Sequence, residues 1–155
     1  MAGRIEAKLQ ELGITLPAAV APVANYVGAV RTGNLLVVSG QIPLKDGKVA
    51  FTGKIGESLS VEVGQQSTRL CALNVLAQVK AALGGDLDRV VRFVRLGGFI
   101  AAPASFTQHA NVMNGASDLI VAVFGEAGKH TRTTIGVPSL PLDSATEVEA
   151  LVEVS

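Results

Sequence analysis

Two charged side chains near the carboxyl end of the chain have the types and spacing that could support chemistry on an anion. Arg132 stands in a threonine-rich segment, and Glu147 begins the next strand-like segment 15 residues later. An arginine fork binds a carboxylate through two hydrogen bonds, and a glutamate can hold a water molecule and take its proton. The two side chains would come near each other if their strands pair antiparallel, which makes this region a candidate anion site.

Other reactive residue types lack suitable partners in the sequence. Cys71 lies on the apolar side of a predicted helix, which favours a place in the core over a role as a nucleophile. His109 and His130 have no cysteine, histidine or aspartate at metal-ligand spacing, so no metal site is expected. Ser39 has no evident histidine and aspartate partners, and no glycine-rich phosphate loop is present.

Length and charge limit the class of protein. A chain of 155 residues suffices for one core, so we expect a single domain over residues 1–155. Its 13 basic and 13 acidic residues cancel, and the isoelectric point of about 6.7 argues against nucleic acid as the main partner. No apolar stretch is long enough for a membrane span, the first residues do not resemble a signal peptide, and the single cysteine predicts a reducing, cytoplasmic setting.

The balance of apolar and charged residues predicts an oligomer. Hydrophobic residues make up 48% of the chain and charged residues only 17%, against about 25% charged in a typical domain. This apolar area exceeds what a monomer of this size needs to bury, and a net charge of zero provides little repulsion between copies.

Apolar residues at helical spacing predict three helices, at residues 4–12, at 60–83, and from a start within 106–115 to residue 124. The first belongs to an N-terminal arm of about residues 1–14. Ser60 is the expected N-cap of the second helix. The spacing of Ser105 and Gln108 predicts a capping box before the third.

Alternating or β-branched runs predict strands at residues 26–30, 35–39, 42–44, 48–51, 90–99, 131–137 and 147–154. Asp46-Gly47 is a strong hairpin signal. Residues 35–38 are continuously apolar, which predicts a strand covered on both faces. Two helices that each return to a strand predict a mixed sheet with both helices on one face, so subunit association would cover the other face.

Over about residues 15–154 the sequence resembles the YjgF/Rid family, also known as the endoribonuclease L-PSP or chorismate-mutase-like family. Residues 33–43 carry the motif G-N-L-L-x-x-S-G-Q-I-P, and Arg132 is followed by Leu140-Pro141 and by the segment 147–150. The resemblance implies a chorismate-mutase-like α+β fold in which a six-stranded sheet packs against two helices. It also implies a homotrimer whose sheets form a central barrel.

The resemblance further implies roles for single residues in a cleft between subunits. Arg132 would bind the substrate carboxylate, and Glu147 would position the attacking water. Tyr26 would line the pocket, while Ser39 and Gly40 would face the ligand.

Two more positions are carried over with differences from the family pattern. Thr134 stands where many members have a cysteine and would form part of the pocket wall. Asn114 matches an asparagine of the second long helix, and Asn111 competes with it for this role. The N-terminal helix resembles a longer subgroup of the family.

The activity implied by the resemblance is hydrolysis of 2-imino acids or enamines to 2-oxo acids and ammonia, without a cofactor. One alternative is a non-catalytic protein that binds small carboxylates and regulates a partner. Both hypotheses use Arg132, but a pure binder does not need Glu147. The third hypothesis is an endoribonuclease-like translation inhibitor, against which the zero net charge argues.

Overall fold

The computed structural model describes residues 2–155, so Met1, the first residue of the predicted arm, lies outside the described residues. The helices of the described part are α1 (Arg4–Glu11), α2 (Val61–Ala82) and α3 (His109–Phe124). Its strands are β1 (Ala29–Thr32), β2 (Leu35–Gln41), β3 (Leu44–Lys45), β4 (Lys48–Val49), β5 (Val90–Ala101), β6 (Thr131–Val137) and β7 (Thr146–Val154).

Five strands form one mixed sheet in the order β1-β2-β7-β5-β6. Strands β5 and β6 are parallel, whereas the other neighbours in the sheet pair antiparallel. Helices α2 and α3 pack together on one face, which confirms the predicted α+β fold with both helices on one side. The expected sixth strand is missing from the sheet, because β3 and β4 pair with each other outside it.

The core lies between the sheet and the two long helices. Strand β7 alternates strictly, with Val148, Ala150 and Val152 buried towards the helices and the acidic residues on the other face. Cys71 of α2 is completely buried, which confirms its predicted place in the core. Burial raises the pKa of its thiol to about 12, so the reactive thiolate is strongly disfavoured.

The face of the sheet opposite the helices, called the open face below, carries exposed apolar side chains. Val37 of β2 is 48% exposed, and Val30 and Ile135 are similarly exposed on β1 and β6. Within the single chain residues 35–38 are covered on one face only, since no described helix lies on this side, and the predicted cover of the other face by a second subunit stays a prediction. An apolar surface of this kind is typical of an interface.

Close contact between α2 and α3 explains a glycine within a helix. A Cβ atom on Gly115 would overlap the backbone oxygen of Gln65, so a larger residue would force the helices apart. At the same crossing, Thr68 Oγ1 donates a 2.8 Å hydrogen bond to the carbonyl of Val112. The cost of glycine in a helix is thus offset by tight packing.

Local signals were predicted with mixed success. Ser60 caps α2 by accepting a hydrogen bond from Val63 N, and the Asp46-Gly47 turn has the positive φ angles of a two-residue hairpin, as predicted. The capping box at Ser105 is wrong: α3 begins at His109 without a side-chain cap. The reason is a turn in which Phe106 N bonds to the carbonyl of Pro103, while the Phe106 ring packs in a small second core cluster.

Strand β1 starts at Ala29, so Tyr26 precedes the strand that was predicted to contain it. The segment before the strand bends, with Tyr26 N bonded to the carbonyl of Ala24 at 2.9 Å. An extended strand cannot make this short-range bond, which is why the pairing with β2 begins later.

Helix α1 is held by a carboxylate from a distant segment, and we expect Asp88→Ala to release it. Asp88 accepts hydrogen bonds from Arg4 N at 2.7 Å and Ile5 N at 2.8 Å, and these bonds lower its pKa. The variant should lower the thermal midpoint by about 2–4 °C, measured by circular dichroism. The control is Asp118→Ala, which removes an exposed aspartate of α3.

The contribution of Asp88 also has a defined pH dependence. Because its folded pKa is lowered, the stabilisation is present above the pKa of the unfolded chain and is lost as pH falls through the folded pKa. The difference between wild type and Asp88→Ala should therefore shrink in acid. A constant difference at all pH values would contradict the capping role.

Candidate functional site

Arg132 lies on edge strand β6 and points towards helix α3. Its Nη1 donates to Asn114 Oδ1 at 2.9 Å and to Ser117 Oγ at 3.1 Å, and its Nη2 donates to the carbonyl of Ala110 at 3.3 Å. Among residues 2–155 it has no carboxylate partner within ion-pair distance. The guanidinium is thus fixed by neutral acceptors, and its charge is free to attract an anion.

The geometry distinguishes the two candidate asparagines. Asn114 contacts Arg132 directly, whereas the exposed Asn111 donates a long 3.4 Å hydrogen bond to Gln108 Oε1. The structure therefore places Asn114, and not Asn111, beside the arginine.

Thr134 shares a side of β6 with Arg132, because alternate residues of a strand point the same way. Its Oγ1 is buried and has no hydrogen-bond partner among the described residues. An unsatisfied buried hydroxyl is uncommon in a native structure. We refer to Arg132, Asn114, Ser117 and Thr134 as the arginine cluster.

Sequence reasoning missed Ser117 and His130. Ser117 Oγ lies 2.9 Å from His130 Nε2, and His130 Nδ1 lies 2.7 Å from the carbonyl of Gly128. A signal was available, since His130 and Arg132 are two residues apart at the start of a strand and such residues share a side.

Glu147 lies on the open face of the sheet, half-buried. Burial raises its pKa, and the neighbouring charge of Glu149 raises it further. Gly40 of β2 leaves room for it, because a Cβ atom at this position would overlap Glu147 Oε1. Gly40 lies within an irregularity in the pairing of β2 with β7, between Val38 and Gln41. We refer to Glu147, Gly40 and Ser39 as the glutamate cluster.

Ser39 connects the glutamate cluster to the segment that carries Tyr26. Its Oγ donates a 2.7 Å hydrogen bond to the carbonyl of Val27, and its backbone N–H bonds to Gly28. The Tyr26 side chain itself is 59% exposed in the single chain. This tyrosine is consequently accessible to a ligand or to a second subunit.

The structure does not bring Arg132 and Glu147 together within one chain. Strand β5 lies between β6 and β7, so these two strands do not form the antiparallel pair that would bring the two side chains together. Arg132 is in register with Leu96, which is buried towards the helices, whereas Glu147 is in register with Phe99 on the open side. The two clusters therefore lie on opposite faces of the sheet.

The described part of the chain has a further cleft that no residue of either cluster lines. A cleft of about 640 Å³ lies between residues 15–17, the β3–β4 hairpin and α2, and it contains none of the predicted site residues. Residues 2–155 hold no group of three histidine, cysteine, aspartate or glutamate side chains that could bind a metal ion. None of the helices described is both long enough and apolar enough to cross a membrane.

The fold and these clusters define a class of protein: a small α+β protein with a mixed sheet, two helices on one face and an uncompensated arginine at the sheet edge. The family model described as "YjgF/chorismate_mutase-like, putative endoribonuclease" matches residues 6–154. The chain belongs to the YjgF/chorismate-mutase-like family.

Individual relatives agree with this assignment. The chain is 53% identical over 154 residues to Protein TCP17 of Trypanosoma cruzi, covering 99% of this chain and 96% of that one. The crystal structure of Atu1372, a protein of unknown function from Agrobacterium tumefaciens, is 48% identical, with a TM-score of 0.92 and coverage of 97% and 92%. Escherichia coli TdcF, solved with bound serine, is 25% identical, with a TM-score of 0.59 and coverage of 88% and 94%.

Proposed function

We propose that the protein is a cytoplasmic enzyme that hydrolyses reactive 2-imino acids and their enamine forms to 2-oxo acids and ammonia, without a cofactor. The observation that carries the proposal is the half-buried Arg132, held by Asn114, Ser117 and Ala110 with no acidic partner among the described residues. A 2-imino acid offers the carboxylate that such an arginine recognises.

The reaction needs little more than a placed water molecule. Water oxygen adds to the carbon of the protonated imine while Glu147 takes a water proton, and the C=N electron pair moves to nitrogen to give the amine of a tetrahedral carbinolamine. Glu147 then gives that proton to the amine nitrogen. Collapse forms the C=O bond, breaks the C–N bond and releases ammonia, and the carbinolamine hydroxyl proton returns to Glu147, which loses it to solvent. The raised pKa of Glu147 makes it a stronger base than an ordinary glutamate.

A complete site requires more than one copy of the chain. The arginine and glutamate clusters lie on opposite faces of one sheet, so a ligand cannot touch both within a protomer. We propose that the arginine cluster of one protomer meets the glutamate cluster and Tyr26 of its neighbour in a homotrimer. The exposed apolar residues of the open face support this, because their burial would favour association.

The trimer is directly testable by sedimentation equilibrium. We expect a mass of about three times the 15.9 kDa of one chain, because the open face needs a cover. Val37→Lys should weaken assembly by placing a charge on that face, while Ala81→Lys, which adds the same charge at an exposed position of α2, should not. A stable monomer would refute both the assembly and the shared cleft.

A non-catalytic carboxylate-binding protein is the second candidate. TdcF was solved with bound serine, a molecule with a carboxylate, and the arginine cluster is complete within one chain. This function would require Arg132 but not Glu147. The third candidate, an endoribonuclease-like activity, has no comparable support, since the net charge is zero.

One assay separates the first two candidates. An amino-acid oxidase generates 2-imino acids in solution, and ammonia release is followed with and without the protein. Faster release supports the enzyme. An unchanged rate, combined with calorimetric binding of 2-oxo acids, would instead establish the binding protein.

A further inference from the structure

The hydrogen bonds behind Arg132 form a chain with one direction. The carbonyl of Gly128 can only accept, so His130 Nδ1 must carry the proton of their 2.7 Å bond. In a neutral imidazole His130 Nε2 is then the acceptor of the 2.9 Å bond with Ser117, and the Ser117 hydroxyl donates to it. With its proton committed, Ser117 Oγ presents its lone pairs to Arg132 Nη1.

These hydrogen bonds leave two N–H groups of the Arg132 guanidinium without a partner among residues 2–155. A guanidinium has five N–H groups. Asn114 and Ser117 use both groups of Nη1, and Ala110 uses one of Nη2. Nε and the second N–H of Nη2 have no partner among residues 2–155, and these two nitrogens form a side that fits a carboxylate.

We propose that Ser117 and His130 are a positioning pair: they fix the rotation of Arg132 so that its Nε–Nη2 edge faces the substrate carboxylate. The proposal rests on the proposed function for the identity of the anion, but the positioning itself does not. Neither residue touches the ligand. His130 acts through Ser117, and Ser117 acts through Arg132.

The backbone around Gly128 is shaped to hold the histidine. A Cβ atom on Gly128 would lie 2.5 Å from the carbonyl oxygen of Ile120, so only glycine lets the 3₁₀ turn Gly125–Gly128 approach α3 this closely. That approach holds the carbonyl of Gly128, two residues before His130, in the place where it accepts the hydrogen bond from His130 Nδ1. The pair is thus anchored to the same helix that supplies Ser117 and Asn114.

Nuclear magnetic resonance of the arginine side chains tests the positioning without any ligand. In the wild type, Nη1 should show resolved, slowly rotating protons that are missing in Arg132→Lys, which assigns the signal. Ser117→Ala should broaden or merge these signals because a fixed acceptor is lost. Free rotation of the Arg132 guanidinium in the wild type would overturn the proposal, whatever the protein binds.

Two histidine variants separate positioning from general structural damage. Gln carries its amide near the place of Nε2 and can still accept from Ser117, whereas Asn reaches only the Gly128 side. We expect His130→Asn to weaken pyruvate binding roughly three- to tenfold in calorimetry, and His130→Gln to restore most of it. An equal loss of pyruvate affinity in both variants, with unchanged thermal stability, would contradict the proposed positioning pair.

A double-mutant cycle completes the test. In an Arg132→Ala background, His130→Asn should cause no further loss of pyruvate affinity, because the histidine acts only through the arginine. An additive loss would overturn the proposal. If pyruvate does not bind the wild type but the guanidinium is rigid and depends on Ser117, the positioning stands and the proposed function alone fails.

Discussion

Arg132→Ala should lower kcat/KM for imine hydrolysis, and the affinity for a 2-oxo acid, by at least about tenfold. The variant removes a charge-assisted contact to the carboxylate, and hydrogen bonds to charged groups contribute about 1.5–3 kcal/mol. The fold should survive, since Arg132 lies on edge strand β6 and forms no part of the core. Ammonia release and calorimetry with pyruvate measure the two effects.

Arg132→Lys tests whether the planar guanidinium is needed in addition to the positive charge. A lysine lacks the planar fork, and its three N–H groups cannot bond Asn114, Ser117 and both oxygens of a carboxylate at once, so it should rescue binding only in part. Arg69→Ala, which removes an exposed arginine from α2, is the matched control and should leave activity unchanged. Intact ligand binding in Arg132→Ala would show that the anion site lies elsewhere.

The strand order shows where sequence reasoning was strong and where it failed. The alternation in residues 147–154 correctly placed apolar residues inside and acids outside, because a strand has a period of two. The antiparallel pair of β6 and β7, which would have brought Arg132 near Glu147, does not occur, and the order β5-α3-β6 already favours a different arrangement. A strand, a helix and a strand in succession usually make a parallel pair, which leaves β7 to pair on the other side of β5.

The residues of the candidate site could likewise be predicted from the sequence only in part. Arg132 could be predicted from its type and context, but the choice between Asn111 and Asn114 could not. Three residues apart on a helix, both point to nearly the same side, and only the position of β6 against α3 selects Asn114. The reason for Gly40 was equally inaccessible, because its contact with Glu147 depends on the register between β2 and β7.

Glu147 combines its proposed role as a general base with a cost to the fold. Its raised pKa means that ionisation is less favourable in the folded chain than in the unfolded one. Stability from this group is full below the unfolded pKa and is lost as pH rises through the folded pKa. Glu147→Gln should therefore unfold at a slightly higher temperature than the wild type at neutral pH, with little difference in acid.

The same substitution should depress kcat by about 10²–10⁴-fold, the usual contribution of a general base, while pyruvate affinity changes little because Arg132 still holds the carboxylate. In the wild type, kcat should fall as pH drops through the raised pKa of Glu147, at a higher pH than for an ordinary glutamate. Ammonia release across pH measures both effects, and this acid limb should be absent in the variant.

An independent perturbation of the same carboxylate is Gly40→Ala. The added methyl group would overlap Glu147 Oε1, so the carboxylate must turn away while the flexible side chain spares the fold. Turnover should fall with no loss of thermal stability. Gly33→Ala is the contrasting variant: its Cβ atom would meet nothing within 4 Å, but φ is positive there. It should therefore lower stability and leave the Glu147 carboxylate in place. Full turnover in Glu147→Gln would exclude the general-base role, and the water would then have to be held by backbone groups or by Tyr26.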